Sequence, residues 1–129
     1  MCIRDRKYTQ EFSDAVSKRE YDVAISLALT VLGKLIEIAR SEVLGVIADP
    51  TVRTLADNYI GGYEKTLSYS KGVLEGLKYV SPLYAYGEKE QLIQLLAGSV
   101  SELFSFIMGA LIIVASLSPP SQEERFGIV

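Results

Sequence analysis

The stretch Tyr21-Asp22-Val23-Ala24-Ile25-Ser26-Leu27-Ala28-Leu29-Thr30-Val31-Leu32-Gly33-Lys34-Leu35-Ile36-Glu37-Ile38-Ala39-Arg40-Ser41-Glu42-Val43-Leu44-Gly45-Val46-Ile47 decides the fold. Its polar residues Asp22, Ser26, Thr30, Lys34, Glu37 and Ser41 recur at steps of three and four, a narrow stripe on a helix. Nearly everything between them is Val, Ile, Leu or Ala. A helix that is apolar over most of its circumference must be buried on several sides. The spacing therefore predicts a central helix over 21–47, with other helices around it.

The flanking segments supply those helices. Over Lys7 to Lys18 the apolar residues Tyr8, Phe12, Ala15 and Val16 fall at i, i+4, i+7 and i+8, a single helical stripe. Lys18-Arg19-Glu20 closes this helix, with cations at the negative end of its dipole. Asp49-Pro50 ends the central helix and starts the third, with Asp as N-cap and Pro at the first helical position. The third helix is predicted over 50–80, with a heptad-like seam of Ala56, Tyr59, Tyr63, Leu67, Ser70, Leu74 and Leu77. Arg53–Asp57 and Lys71–Glu75 stand at i, i+4 as opposite charges. Gly61-Gly62 predicts a kink, a break or the close approach of another backbone. Ser81-Pro82 reads as the end of this helix, because a residue before Pro avoids helical dihedrals. A loop over 82–87 and a fourth helix from Glu88 to Leu117 follow, and Pro119-Pro120 stops the chain's last helix. The expected fold class is all-α: an antiparallel up-and-down bundle of four main helices, five if Gly61-Gly62 divides the third, within a single domain over 7–117.

The ends read differently. Met1-Cys2-Ile3-Arg4-Asp5-Arg6 resembles the adapter-derived peptide of translated metagenomic assemblies, so residues 1–6 are expected to be non-native. The tail over 118–129 is terminal and polar at its start, and is expected to be partly disordered.

Composition narrows the chemistry. The 129-residue chain has no histidine, which removes zinc sites with His ligands, Ser-His-Asp triads and Cys-His dyads. Its lone cysteine, Cys2, allows no intrachain disulfide and fits a cytoplasmic setting. Glu37 and Glu42 point about 140° apart on a helix, so they do not converge on a metal. Neither a GxGxxG nor a GxxxxGK[ST] phosphate loop is present. Thirteen basic against 16 acidic residues leave no basic stripe for nucleic acid. No catalytic, cofactor-binding or metal-ligating residues are therefore assigned.

What remains is an apolar excess. Apolar residues make up 49% of the chain, more than one small domain needs to cover itself. Leu103 to Leu117 is 15 residues without a charge, short of the roughly 20 of a membrane span. A buried core helix is expected there; anchoring to a membrane is the alternative. Ser101, Ser105 and Gly109 form a small-xxx-small run, which lets two helices approach closely. Glu102, beside it, is expected to be solvated. Eight tyrosines and no tryptophan suit interfaces, where a ring is buried and its hydroxyl stays wet. The candidate interface residues are Tyr59, Tyr63, Ser101, Ser105, Gly109 and Ile112.

Two stretches resemble the HEPN family of helical bundles, domains found beside minimal nucleotidyltransferases. They are Ser17-Lys18-Arg19-Glu20-Tyr21-Asp22-Val23-Ala24-Ile25-Ser26-Leu27-Ala28 and Pro82-Leu83-Tyr84-Ala85-Tyr86-Gly87-Glu88-Lys89-Glu90. The family's ribonucleases share an Arg-x4-6-His motif, which a chain without histidine cannot form. The resemblance therefore implies a non-catalytic member that binds a partner, such as a nucleotidyltransferase-type protein, and dimerises. The function expected is a helical binding or assembly module, homodimeric, with no chemistry of its own. A membrane-associated protein held by its last helix and an RNA-acting bundle enzyme are the alternatives.

Overall fold

The computed structural model describes residues 2–116, with side chains for 7–113. Four α-helices make up the bundle: α1 (Cys2–Ser17), α2 (Tyr21–Ile38), α3 (Pro50–Gly76) and α4 (Pro82–Ser116). A π turn over Ala39–Val43 and a 3-10 turn over Leu44–Val46 prolong α2, and a 3-10 turn over Leu77–Tyr79 finishes α3. The expected disorder of the tail over 118–129 falls on residues outside the described ones.

The helix ends follow from local chemistry. After α1 the chain turns through Arg19, whose φ of 60° is left-handed. The Glu20 N–H closes the turn on the Ala15 carbonyl at 2.8 Å, and the Arg19 N–H on that of Val16 at 3.0 Å. At the start of α3, Asp49 accepts from the Thr51 N–H at 2.9 Å and Pro50 opens the helix, as expected.

α2 is the central element. It touches α1, α3 and α4, and its largest contact is with α4. Ala24, Ile25, Ala28 and Leu32 are wholly buried, while all six residues of the polar stripe are exposed. Small Ala24 and Ala28 let neighbouring helices come close. Consecutive helices run antiparallel, so α2 and α4 run parallel. Asp22 pairs with Lys89 near their first turns, and Val43 and Ile47 meet Ala110 and Ile113 near their last. On α4 the core row runs through Leu92, Leu96, Val100, Leu103 and Ile107, spaced four, four, three and four, with Ile93 buried beside it. The α3 seam buries Ala56, Tyr63, Ser70 and Leu77, together with Ile60, which lies off the expected heptad. α1 contributes Ala15 to the core, and Tyr8, Phe12 and Val16 pack half-buried against it.

Three expectations are corrected. First, α4 starts at Pro82 and not at Glu88, so there is no loop over 82–87. Ser81 is an N-cap: its Oγ accepts from the Tyr84 N–H at 3.3 Å, its carbonyl accepts from the Ala85 N–H at 2.9 Å, and Pro82 takes the first position. Second, the bundle has four helices among the described residues, because α3 runs unbroken through Gly61-Gly62. No backbone approaches there; a Cβ at either glycine would meet nothing within 4 Å. Third, the i, i+4 charge pairs on α3 do not form. Arg53 donates to the Ile47 carbonyl at 2.7 and 3.1 Å, capping the end of the α2 segment, and Asp57 pairs instead with Arg40. Glu75 pairs with Lys78 at 3.0 Å.

Since the two glycines sit in regular helix with open space beside them, each carries only the entropic cost of Gly. Gly61→Ala and Gly62→Ala should each stabilise the protein by about 1 kcal/mol in urea denaturation. A loss of stability at either would mean that α3 needs its glycines there.

Candidate interaction surface

At the end of the bundle where α2 finishes, several apolar side chains remain uncovered among the described residues. Val43 and Ile47 from the α2 segment, Val52, Leu55, Ala56 and Tyr59 from the start of α3, and Phe106, Ala110 and Ile113 from α4 line a groove of about 370 Å³. Leu55 and Ile113 are 64% and 61% exposed. The groove exists because α3 departs from α2 across the turn 47–49, leaving a gap that these side chains only partly fill.

Beside the groove, α4 turns a second face outward. Ser101, Ser105 and Ile112 are exposed along it, with Met108 between them, and Gly109 is half-buried at its edge. A Cβ on Gly98 or Gly109 would meet nothing within 4 Å. Gly109 therefore serves no close helix contact inside the described fold. In length and composition α4 also differs from the 15-residue stretch expected: Pro82–Ile113 is long and apolar enough to cross a membrane, with a mean hydropathy of 1.9 and only 28% of its apolar window buried.

The six candidate residues thus divide between two surfaces. Ser101, Ser105, Gly109 and Ile112 belong to the outward side of α4. Tyr59 and Tyr63 lie between α3 and α4: Tyr63 is buried, and its hydroxyl donates to Glu102 at 3.1 Å and lies 2.9 Å from that of Tyr59. Tyr59 packs its ring on Phe106, centroids 4.7 Å apart, and so forms one wall of the groove. Burial, followed by the hydrogen bonds with Tyr59 and Glu102, pushes the Tyr63 phenol above its ordinary range. Val52, Leu55, Met108 and Ile113 were missed. The sequence carries a signal for α3, since Val52 and Leu55 fall seven and four residues before Tyr59 of the expected seam and so share its face.

An ionic clamp holds the groove's two sides in place. Arg40, in the π turn, bonds Glu64 through two parallel contacts of 2.6 and 3.0 Å and also reaches Asp57. The turn is wide because the Leu44 N–H reaches back to the Ala39 carbonyl.

At the opposite end, a polar cluster ties the α1–α2 corner to the start of α4. Arg19 donates to the Tyr86 hydroxyl at 2.7 Å, the Tyr21 and Tyr86 hydroxyls lie 3.4 Å apart, Tyr21 donates to Glu90 at 3.2 Å, and Lys89 pairs with Asp22 at 2.8 Å. Hydrogen bonding with Tyr86, followed by burial and the Glu90 carboxylate, pushes the Tyr21 phenol up to about 12. These residues come from the stretches 17–28 and 82–90. Their geometry can position helices, with the Arg19 cation offsetting its own strained backbone. Beside it, Tyr79, Leu83 and Tyr84 stand well exposed at the α3–α4 corner.

No group of three or more Asp, Glu or Cys side chains among the described residues could hold a metal ion. No family model matches the chain, and no curated protein and no solved structure does.

The clamp has a pH signature. The Glu64 carboxyl is held below its ordinary value by the hydrogen bond from Arg40. A depressed folded pKa means that the unfolded chain takes up its proton first, so the contribution is complete above the ordinary carboxylate value and is lost as pH falls through the folded one. Glu64→Gln should flatten the loss of stability on acidification below about pH 4.5, read from urea midpoints. An acid limb identical to that of the parent would show that the clamp adds no stability.

Proposed function

We propose that this chain is a non-catalytic helical assembly module that forms a homodimer through the outward face of the second half of α4. The supporting observation is that, among the described residues, nothing lies within 4 Å of a Cβ built on Gly109, and Met108 beside it is 38% exposed. Small residues flanked by apolar ones allow a second helix to approach closely and bury the flanking side chains. A second α4 packed on the first would also relieve the exposed apolar surface that one bundle leaves. The resemblance of 17–28 and 82–90 to HEPN bundles suggests a further partner, a nucleotidyltransferase-type protein, for the end carrying Arg19, Tyr86 and the exposed Tyr79 and Tyr84. A cytoplasmic location accords with this reading.

Light scattering at micromolar concentration should give twice the chain mass, and Ile112→Asp should give a monomer with unchanged helical circular dichroism. A monomeric parent protein would overturn the proposal.

The length and hydropathy of α4 favour a second reading, in which this helix meets lipid. In cell fractionation the homodimer is expected in the soluble fraction without detergent. Recovery only in detergent would favour the membrane reading instead.

A further inference from the structure

We infer that the groove at the α2 end of the bundle binds a free medium-chain fatty carboxylate, with the alkyl chain between α3 and α4 and the head group on Arg53. The inference goes beyond self-association and does not rest on it, since it concerns the inner side of α4 and not the outward one.

The lining sets the chemistry of the tail. All nine side chains around the groove are aliphatic or aromatic, and the one hydroxyl among them, that of Tyr59, lies 2.9 Å from that of Tyr63. A polar occupant would lose its hydration with little to replace it. The size sets the kind of ligand. At about 370 Å³ the groove falls within the roughly 300–1,000 Å³ of small-molecule sites. A stable protein partner uses roughly 20–30 residues a side, well above the nine that line this groove. An apolar cavity of about 150 Å³ takes a benzene molecule, so by the same measure there is room for about a dozen carbons.

Arg53 sets the head group. Its Nε and Nη2 donate to the Ile47 carbonyl at 3.1 and 2.7 Å, which fixes the guanidinium beside a residue of the groove wall. The remaining N–H groups on Nη1 and Nη2 form a parallel pair that matches the oxygens of a carboxylate. Neighbouring charges do not neutralise this cation. Among the described residues Arg53 joins no ion pair. Asp57 is paired with Arg40, and Asp49 accepts from the Thr51 N–H at 2.9 Å. An unpaired cation held next to an apolar groove complements an amphiphile whose single charge is negative. Because the carbonyl already orders the arginine, less ordering is left to the moment of binding.

Calorimetric titration of the full-length protein with sodium octanoate, below its micelle-forming concentration, should show one saturable site per chain. Affinity should rise about four-fold per added methylene from hexanoate to decanoate. Arg53→Gln should weaken octanoate about ten-fold and leave 1-octanol unchanged, a split that a merely structural role for the arginine would not produce. Leu55→Asp and Val52→Asp, at side chains 64% and 47% exposed, should each abolish binding of both with helical circular dichroism retained. Val52 lies in the first turn of α3, where a carboxylate suits the helix dipole. The absence of saturable binding would overturn the inference. Equal affinity for octyltrimethylammonium would do the same, as would octanoate binding that none of these substitutions changes. Binding of phosphatidylglycerol vesicles without uptake of free octanoate would assign the groove to a membrane surface and overturn it as well. The Ile112→Asp variant should bind octanoate as the parent does, so failure of the dimer and failure of this site are separate results.

Discussion

Burial of α2 is the constraint on which the rest of the structure depends. Its Ala24, Ile25, Ala28 and Leu32 are wholly inaccessible, and that requires helices on three sides. A fully buried leucine or isoleucine stabilises the fold by about 1.5–3 kcal/mol. No other helix could change place without uncovering several such side chains. The alanines set the distance as well: with no bulk at 24 and 28, α4 comes close enough for its row of Leu92, Leu96, Val100, Leu103 and Ile107 to close the core.

The parallel pairing of α2 and α4 also explains where the molecule remains unfinished. α4 commits one face to α2 and another to α3 through Tyr63 and Phe106, and α1 covers only part of the rest. Among the described residues no other helix packs on the opposite side of α4, where Met108 and Ile112 are exposed. At one end the Arg19–Tyr86–Tyr21–Glu90 chain pins the starts of the two helices together. At the other, the Arg40 clamp fixes α3 against the π turn but leaves the apolar groove open above it. Polar groups thus position the helices, and the surfaces left for partners are apolar.

Much of the fold was legible because helical periodicity is a local property. The exposed stripe from Asp22 to Ser41, the α1 stripe and most of the α3 seam follow from spacing alone. The errors also have physical causes. Asp49-Pro50 and Ser81-Pro82 are the same device, an N-cap followed by proline, yet Ser81-Pro82 invited reading as a terminator only, because proline both stops one helix and opens the next. Gly61-Gly62 suggested a break because glycine weakens a helix, but a cost of about 1 kcal/mol per glycine is small beside the packing of Ile60 and Tyr63 on either side. Arg53 left Asp57 for the Ile47 carbonyl, since an uncapped helix end offers an arginine more than an exposed carboxylate does.

The sequence by itself determined the helical class, the centrality of the stretch 21–47 and the absence of histidine chemistry, since periodicity and composition need no knowledge of neighbours. Only the tertiary structure decided which apolar faces are covered. Tyr63 and Ile112 look equally suited to an interface in the sequence, yet one is buried against Glu102 and α4 while the other stands exposed on the outside of the bundle. The reason is geometric. Burial depends on which helix lies opposite, and the pairing of α2 with α4, far apart in the chain, leaves no mark in the local spacing of either.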